Sequence, residues 1–127
     1  MPKKIIFTEN APAPIGPYNQ AVLKENTLYV SGQIAINPAN GELVTSNIEY
    51  ETKQVMENIK AILEVAGMTF ENVVKSTIFT TNMGDFEIIN NVYGSYFNDK
   101  TAPARETVQV VALPKNVNVE ISMIAVF

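Results

Sequence analysis

The chain has 127 residues, of which 46% are hydrophobic and 17% charged, with a formal net charge of −4; this is the size and balance of a single globular domain, 1–127, without low-complexity tracts. It contains neither Cys nor His, which removes disulfides, thiolate nucleophiles, most zinc sites and the usual general base near neutral pH. The acidic balance disfavours a nucleic-acid partner. The early apolar run Ile5–Phe7 after Lys3 and Lys4 is too short for a signal or membrane segment, so a cytoplasmic location and no membrane partner are expected.

Ala21 to Lys24 and Thr27 to Ser31 flank the tripeptide Lys24-Glu25-Asn26 and read as a β-hairpin, with Asn26 suited to a left-handed conformation. Asn40-Gly41 marks a second turn. From Ser46 to Gly67, Ile48, Val55, Met56, Ile59, Ile62, Leu63 and Ala66 recur at the spacing of one helix face; Ser46 and Glu49 form a capping box, and Gly67 supplies the stop. Val73 to Thr81 reads as a strand, and a second helix runs from an Asp85 N-cap to about Phe97, with Phe86, Ile89, Tyr93, Tyr96 and Phe97 as its buried stripe. Two strands, Thr107 to Leu113 and Val117 to Phe127, close the chain around a Pro-Lys-Asn turn that makes them run in opposite directions.

The order β-β-β-α-β-α-β-β predicts an α+β fold, one mixed sheet with two helices on one face. The last strands are apolar on both parities, at Val110 and Val111 and at Ile121, Ile124 and Val126. Their second face therefore needs a cover, and other copies of the chain supply it most economically.

Arg105 is the only Arg among nine basic residues and stands in Ala102-Pro103-Ala104-Arg105 at a strand entrance. A planar guanidinium there suits either a bidentate grip on a carboxylate or a surface ion pair with Glu106 or another acid. Glu120 lies in Val117-Asn118-Val119-Glu120-Ile121, where alternation turns it away from Val119 and Ile121. It is either a carboxylate raised toward proton-transfer chemistry by a partly apolar face, or a solvated strand residue near a turn. Ile15-Gly16-Pro17-Tyr18 is a rigid turn delivering a Tyr, and Ser31-Gly32-Gln33 ends a strand with a Gly. Tyr18 reads as a site or a rim aromatic, and Gly32 as a ligand approach or a bulge.

Taken together, APAPIGPYNQA, SGQIAINPANGEL, the helix end ILEVAG, DFEIINNVY and APARETVQVVALPKNVNVEI resemble the reactive-intermediate deaminase family over nearly the whole chain. The last segment is the most specific: a Pro-x-Arg followed fifteen positions later by a Glu in a VEI context, with a Leu-Pro turn between. The resemblance implies a chorismate-mutase-like homotrimer with clefts between subunits. It also implies cofactor-independent, metal-free hydrolysis of short 2-imino acids such as 2-aminoacrylate, 2-iminopropanoate and 2-iminobutanoate to 2-keto acids and ammonia. Arg105 is then the carboxylate clamp and Glu120 the group that aims or activates water. Tyr18, Ser31, Gly32, Asn90 and Thr107 match further cleft positions. Glu106 and Thr107 stand where many members have Ser-Cys or Thr-Cys, so Glu106 can compete for Arg105 unless alternation holds the two side chains apart.

The residues leave three other roles open: a 2-keto-acid-binding regulatory trimer using the same Arg105, a structural or chaperone-like trimer, and a ribonuclease, the last opposed by the acidic charge. Chain geometry adds one expectation. With Arg105 about nine residues before the final turn and Glu120 about four after it, the offset is roughly 15–20 Å at about 3.3 Å per residue, so one small ligand reaches both only across an interface.

Overall fold

The computed structural model describes residues 2–127. Strands β1 (Lys4–Ile6), β2 (Ala21–Lys24) and β3 (Thr27–Gln33) precede helix α1 (Ile48–Val65). Strand β4 (Val73–Thr80), helix α2 (Phe86–Gly94), β5 (Ala104–Gln109) and β6 (Val119–Val126) follow. The expected element order holds, and the six strands form one mixed sheet in the order β1-β2-β3-β6-β4-β5. β4 and β5 are parallel; every other pairing is antiparallel. β6 is thus flanked by β3 and β4, and β5 lies beyond β4 rather than beside β6.

Both helices lie on one face. Val55, Met56, Ile59, Ile62 and Leu63 of α1 are fully buried against Val119, Ile121, Met123 and Ala125 of β6 and their neighbours; at about 1.5–3 kcal/mol for each large buried side chain, this layer dominates the stabilisation. Gly67 ends α1 at φ +80, with its N–H on the Glu64 carbonyl and that of Met68 on the Leu63 carbonyl, the paired bonds of a left-handed glycine stop. Among the described residues no helix covers the opposite face of the sheet. Tyr29 and Val108 are exposed there and Ile124 and Val126 half-buried.

Several boundaries differ from the expectations. The α1 cap is Asn47, whose Oδ1 accepts from Tyr50 N at 2.9 Å, one residue later than a Ser46–Glu49 box. Glu25, with φ 55, takes the left-handed position in the Lys24-to-Thr27 hairpin in place of Asn26. Asp85 makes no side-chain cap; Asn82 instead caps the preceding turn by accepting from Gly84 N. α2 stops at Gly94, a weak helix former, and Tyr96 and Phe97 follow in tight turns bonded to Tyr93 and Gly94, still packing around Phe70. Phe86 keeps the face of the predicted stripe but is 37% exposed, so it is not buried as expected. β5 runs Ala104–Gln109, not to Leu113, because its partner β4 ends at Thr80, the register mate of Gln109. Val110 donates once to the Thr80 carbonyl and Val111 then stands wholly exposed.

The buried carboxylate of Glu51, in the first turn of α1, went unforeseen. It accepts from Asn118 N at 2.7 Å, Asn118 Nδ2 at 2.7 Å and Val119 N at 3.1 Å, tying the helix to the start of β6. Glu51→Ala strands these donors inside the protein, and the expected loss of about 3–5 kcal/mol is read as a lower urea midpoint with an unchanged slope.

Candidate active site

The predicted site residues fall into two groups on the single chain. The first gathers around Arg105. Its Nη1 donates to Asn90 Oδ1 at 2.8 Å, and its Cζ lies 5.0 Å from the Tyr93 ring centroid and 5.7 Å from that of Phe86. Phe86, Asn90 and Tyr93 recur at i, i+4 and i+7, so α2 presents them on one face. That spacing is the signal by which the two aromatic rings were findable in the sequence. The Tyr93 hydroxyl donates to Ser76 Oγ at 2.8 Å, and Ser76 is the register mate of Arg105. Burial pushes the Tyr93 phenol up, against the opposing effects of the Ser76 bond and the Arg105 charge, so the ring stays neutral beneath the guanidinium.

Asn90, Tyr93, Phe97, Pro103 and Arg105 line an open cleft of ≈ 390 Å³. Thr107 shares the sheet face of Arg105, two residues on, and its Oγ1 is buried without a hydrogen-bond partner among the described residues. Arg105 has no carboxylate partner: among the described residues the ion pair is Lys75–Glu106, at 3.1 Å. A surface pairing of Arg105 with Glu106 is therefore not what the fold builds. Glu106 projects to the opposite face, where Thr77 Oγ1 donates to it at 2.6 Å; that bond first, and then Lys75, holds its carboxyl below the usual glutamate range. Two of the five guanidinium N–H groups sit on Nη1, and a single bond to Asn90 leaves most of the fork for a ligand.

The second group surrounds Glu120. Tyr18, Gly32 and Glu120 line a small cavity of ≈ 50 Å³ together with Pro12, Ile15, Gln20 and Pro114. A Cβ at Gly32 would lie 2.6 Å from Glu120 Oε2, so only glycine lets the carboxylate rest on the strand. The β3–β6 register shifts between Val30 and Gln33, which puts Gly32 in a bulge beneath the Glu120 carboxylate. Ser31 Oγ is turned to the Asn19 carbonyl at 2.6 Å, joining the strand to the Tyr18 arm. Half-buried among these groups, the Glu120 carboxyl is pushed up by desolvation.

The two groups do not meet within one chain. Arg105 is level with Ser76 and Glu120 with Phe79, three residues along β4; that is an axial offset of about 10 Å, shorter than the expected 15–20 Å because β5 ends early and a looped segment, not a tight hairpin, joins it to β6. Two further features keep them apart. β4 lies between their strands, and Arg105 points to the helix face while Glu120 points to the uncovered one.

Comparison with known proteins decides the family. The Endoribonuclease L-PSP family model matches residues 8–127. The chain belongs to that family. A RutC family protein of Pyrococcus horikoshii is 51% identical over 97% of both chains. A Bos taurus protein named 2-iminobutanoate/2-iminopropanoate deaminase is 50% identical over 98% of this chain and 90% of its own. A Rid-family crystal structure from Yersinia pestis superposes with a TM-score of 0.96 at 49% identity, covering 99% of this chain and 100% of the other. The L-PSP fold so matched is the two-helix, six-stranded arrangement described above. Among the described residues no helix is long and apolar enough to cross a membrane.

The placement of Glu106 yields a direct expectation. Any affinity of the Arg105 cleft for a small carboxylate, measured by calorimetric titration with 2-oxobutyrate, is expected to stay within about twofold of the parent in Glu106→Ser, since an exposed charge on the far face is screened. A gain of roughly tenfold would show that Glu106 does compete for the guanidinium.

Proposed function

We propose that this L-PSP family chain hydrolyses short 2-imino acids, 2-aminoacrylate after tautomerisation, 2-iminopropanoate and 2-iminobutanoate, to 2-keto acids and ammonia. The observation that carries the reading is Arg105: a half-buried guanidinium cradled by Asn90 and two rings, unmatched by any carboxylate among the described residues and facing a cleft. Such a fork calls for a planar anion. The deaminase name of the bovine relative agrees with a 2-imino acid carboxylate as that anion.

The site we infer combines Arg105, Asn90 and Thr107 of one subunit with Tyr18, Ser31, Gly32 and Glu120 of its neighbour in a homotrimer. Closure of three chains also covers the apolar side of the sheet. Arg105 fixes the substrate carboxylate, and the Gly32 carbonyl accepts from the iminium N–H. Glu120 aims a water at the C=N carbon. As the C–O bond forms, the π pair moves to nitrogen and Glu120 takes a proton from the water; it passes that proton to nitrogen and then accepts the hydroxyl proton as the C=O bond forms and the C–N bond breaks, so that ammonia leaves with the keto acid behind and Glu120 gives its proton up to solvent. The substrate is already electrophilic, so positioning with modest proton transfer suffices without a cofactor. Enamines released by dehydrating enzymes in the cytoplasm are the source we assign, and clearing them is a form of metabolite damage control.

A regulatory trimer that holds 2-keto acids on the same Arg105 predicts binding without turnover. The ribonuclease in the family's name is disfavoured by the net charge of −4.

Generating 2-iminobutanoate in situ and following its decay tests the activity and the shared site together. Arg105→Ala and Glu120→Ala are each expected to be inactive, while unfolding and co-refolding them in equal amounts restores about a quarter of the sites, those drawing an intact half from each variant. A mixture no more active than its parents counts against the interface, and a wild-type protein that leaves the decay rate unchanged counts against the reaction.

Glu120 also sets a pH expectation. Burial penalises its charged form, so its carboxyl keeps a proton above the ordinary value of 4.5, and the base form is lost as pH falls through that raised value. The rate at saturating imine should therefore show an acid limb centred above 4.5, absent from the residual activity of Glu120→Gln.

A further inference from the structure

Gln20 carries none of the roles above, yet it is the most heavily bonded side chain near the Glu120 half of the site. The residue is 1% exposed. Oε1 accepts from Thr8 N at 2.8 Å, and Nε2 donates to the carbonyls of Thr8, Ala11 and Pro12 at 3.0, 3.2 and 2.9 Å. One side chain thus holds an irregular backbone run that has no strand or helix to satisfy it. The next residues of that run deliver Ile15 and Tyr18 to the wall of the Glu120 cavity, with Tyr18 N on the Gly16 carbonyl at 2.8 Å.

The same residue grips the other wall through its backbone. The Gln20 carbonyl accepts from Ser31 N at 2.9 Å, and the carbonyl of Asn19 takes the Ser31 hydroxyl. Ser31 precedes Gly32, against which Glu120 rests. Gln20 therefore bonds to both segments, through its side chain to the run that leads to the Tyr18 arm and through its carbonyl to Ser31 of the bulge. The two N–H groups of Nε2 are shared among the three carbonyls while Oε1 accepts from Thr8 N, so one glutamine amide serves both the acceptors and the donor of this run.

We infer that Gln20 is a positioning residue: it sets the distance between the Tyr18 arm and Glu120 and so shapes the water-delivering half of the site, without touching substrate. The inference rests on the imine-hydrolysis reading for its catalytic consequence but not for its structural one. Gln20 belongs to the half-site opposite Arg105, so its loss should slow turnover while leaving carboxylate capture intact.

The test uses the full-length protein with Gln20→Leu, and with Gln20→Glu as a variant of the same length should the first not fold. Expected for the folded variant are faster hydrogen exchange at the Tyr18 and Ser31 amides, a kcat for 2-iminobutanoate reduced at least about tenfold, and 2-oxobutyrate affinity within about threefold of the parent. Co-refolding separates positioning from a general loss of stability. The variant should regain activity when mixed with Arg105→Ala, which leaves it an intact partner half, and not when mixed with Glu120→Ala, which damages the same half. Equal results in the two mixtures, or unchanged kcat with unchanged exchange, overturn the proposal. If the parent itself turns over no imine, faster exchange in the variant still upholds the bracket, unchanged exchange still sinks it, and only the catalytic reading has failed.

Discussion

The arrangement depends on where β6 begins, and that is set by Glu51. A carboxylate with three N–H donors and, among the described residues, no ion-pair partner is a costly thing to bury, and it is retained where its geometry fixes something. Here it fixes Asn118 and Val119, the two residues ahead of Glu120, against the first turn of α1. The Asn118 carbonyl is held in turn by Thr81 N at the end of β4. Because β6 lies between β3 and β4, a slip of one residue at its start would exchange its two faces, putting Glu120 into the core and Ile121 outside it.

That constraint orders the rest. β6 in register brings Glu120 over Gly32 and lets β4 stand between it and β5. β5, parallel to β4 and level with it from Lys75 to Thr80, carries Arg105 under α2, where Asn90 and the rings of Tyr93 and Phe86 orient the guanidinium. The same alternation throws Glu106 to the far side, where Lys75 and Thr77 occupy it. Adjacent charges of opposite sign thus stay apart because the pleat turns them to opposite faces and each finds its own partners there.

Much of this was legible in the sequence because it rests on periodicity. The α1 stripe, the β4 run and the glycine stop at Gly67 depend on local spacing and were read with their order correct. Strand ends depend on partners, which local spacing does not reveal: β5 stops where β4 does, and Val110 to Leu113, strand-like in composition, make among the described residues one bond to β4, from Val110 N to the Thr80 carbonyl. Glu51 and Thr52 were missed although they fall between Ile48 and Val55 on the apolar stripe, where a polar side chain signals a buried hydrogen bond. The resemblance named the site residues, and the fold sorted them into two clusters, a division that no motif contains.

The opposite-face placement of Arg105 and Glu120 bears on how such a protein meets its own dilution. In the assembly proposed for it, a lone chain is chemically silent, and competence arises only from encounters between chains. Output then falls more steeply than protein concentration once subunits begin to separate. Contacts far from the cleft, on the sheet face that one chain leaves bare, become as consequential for chemistry as the guanidinium itself.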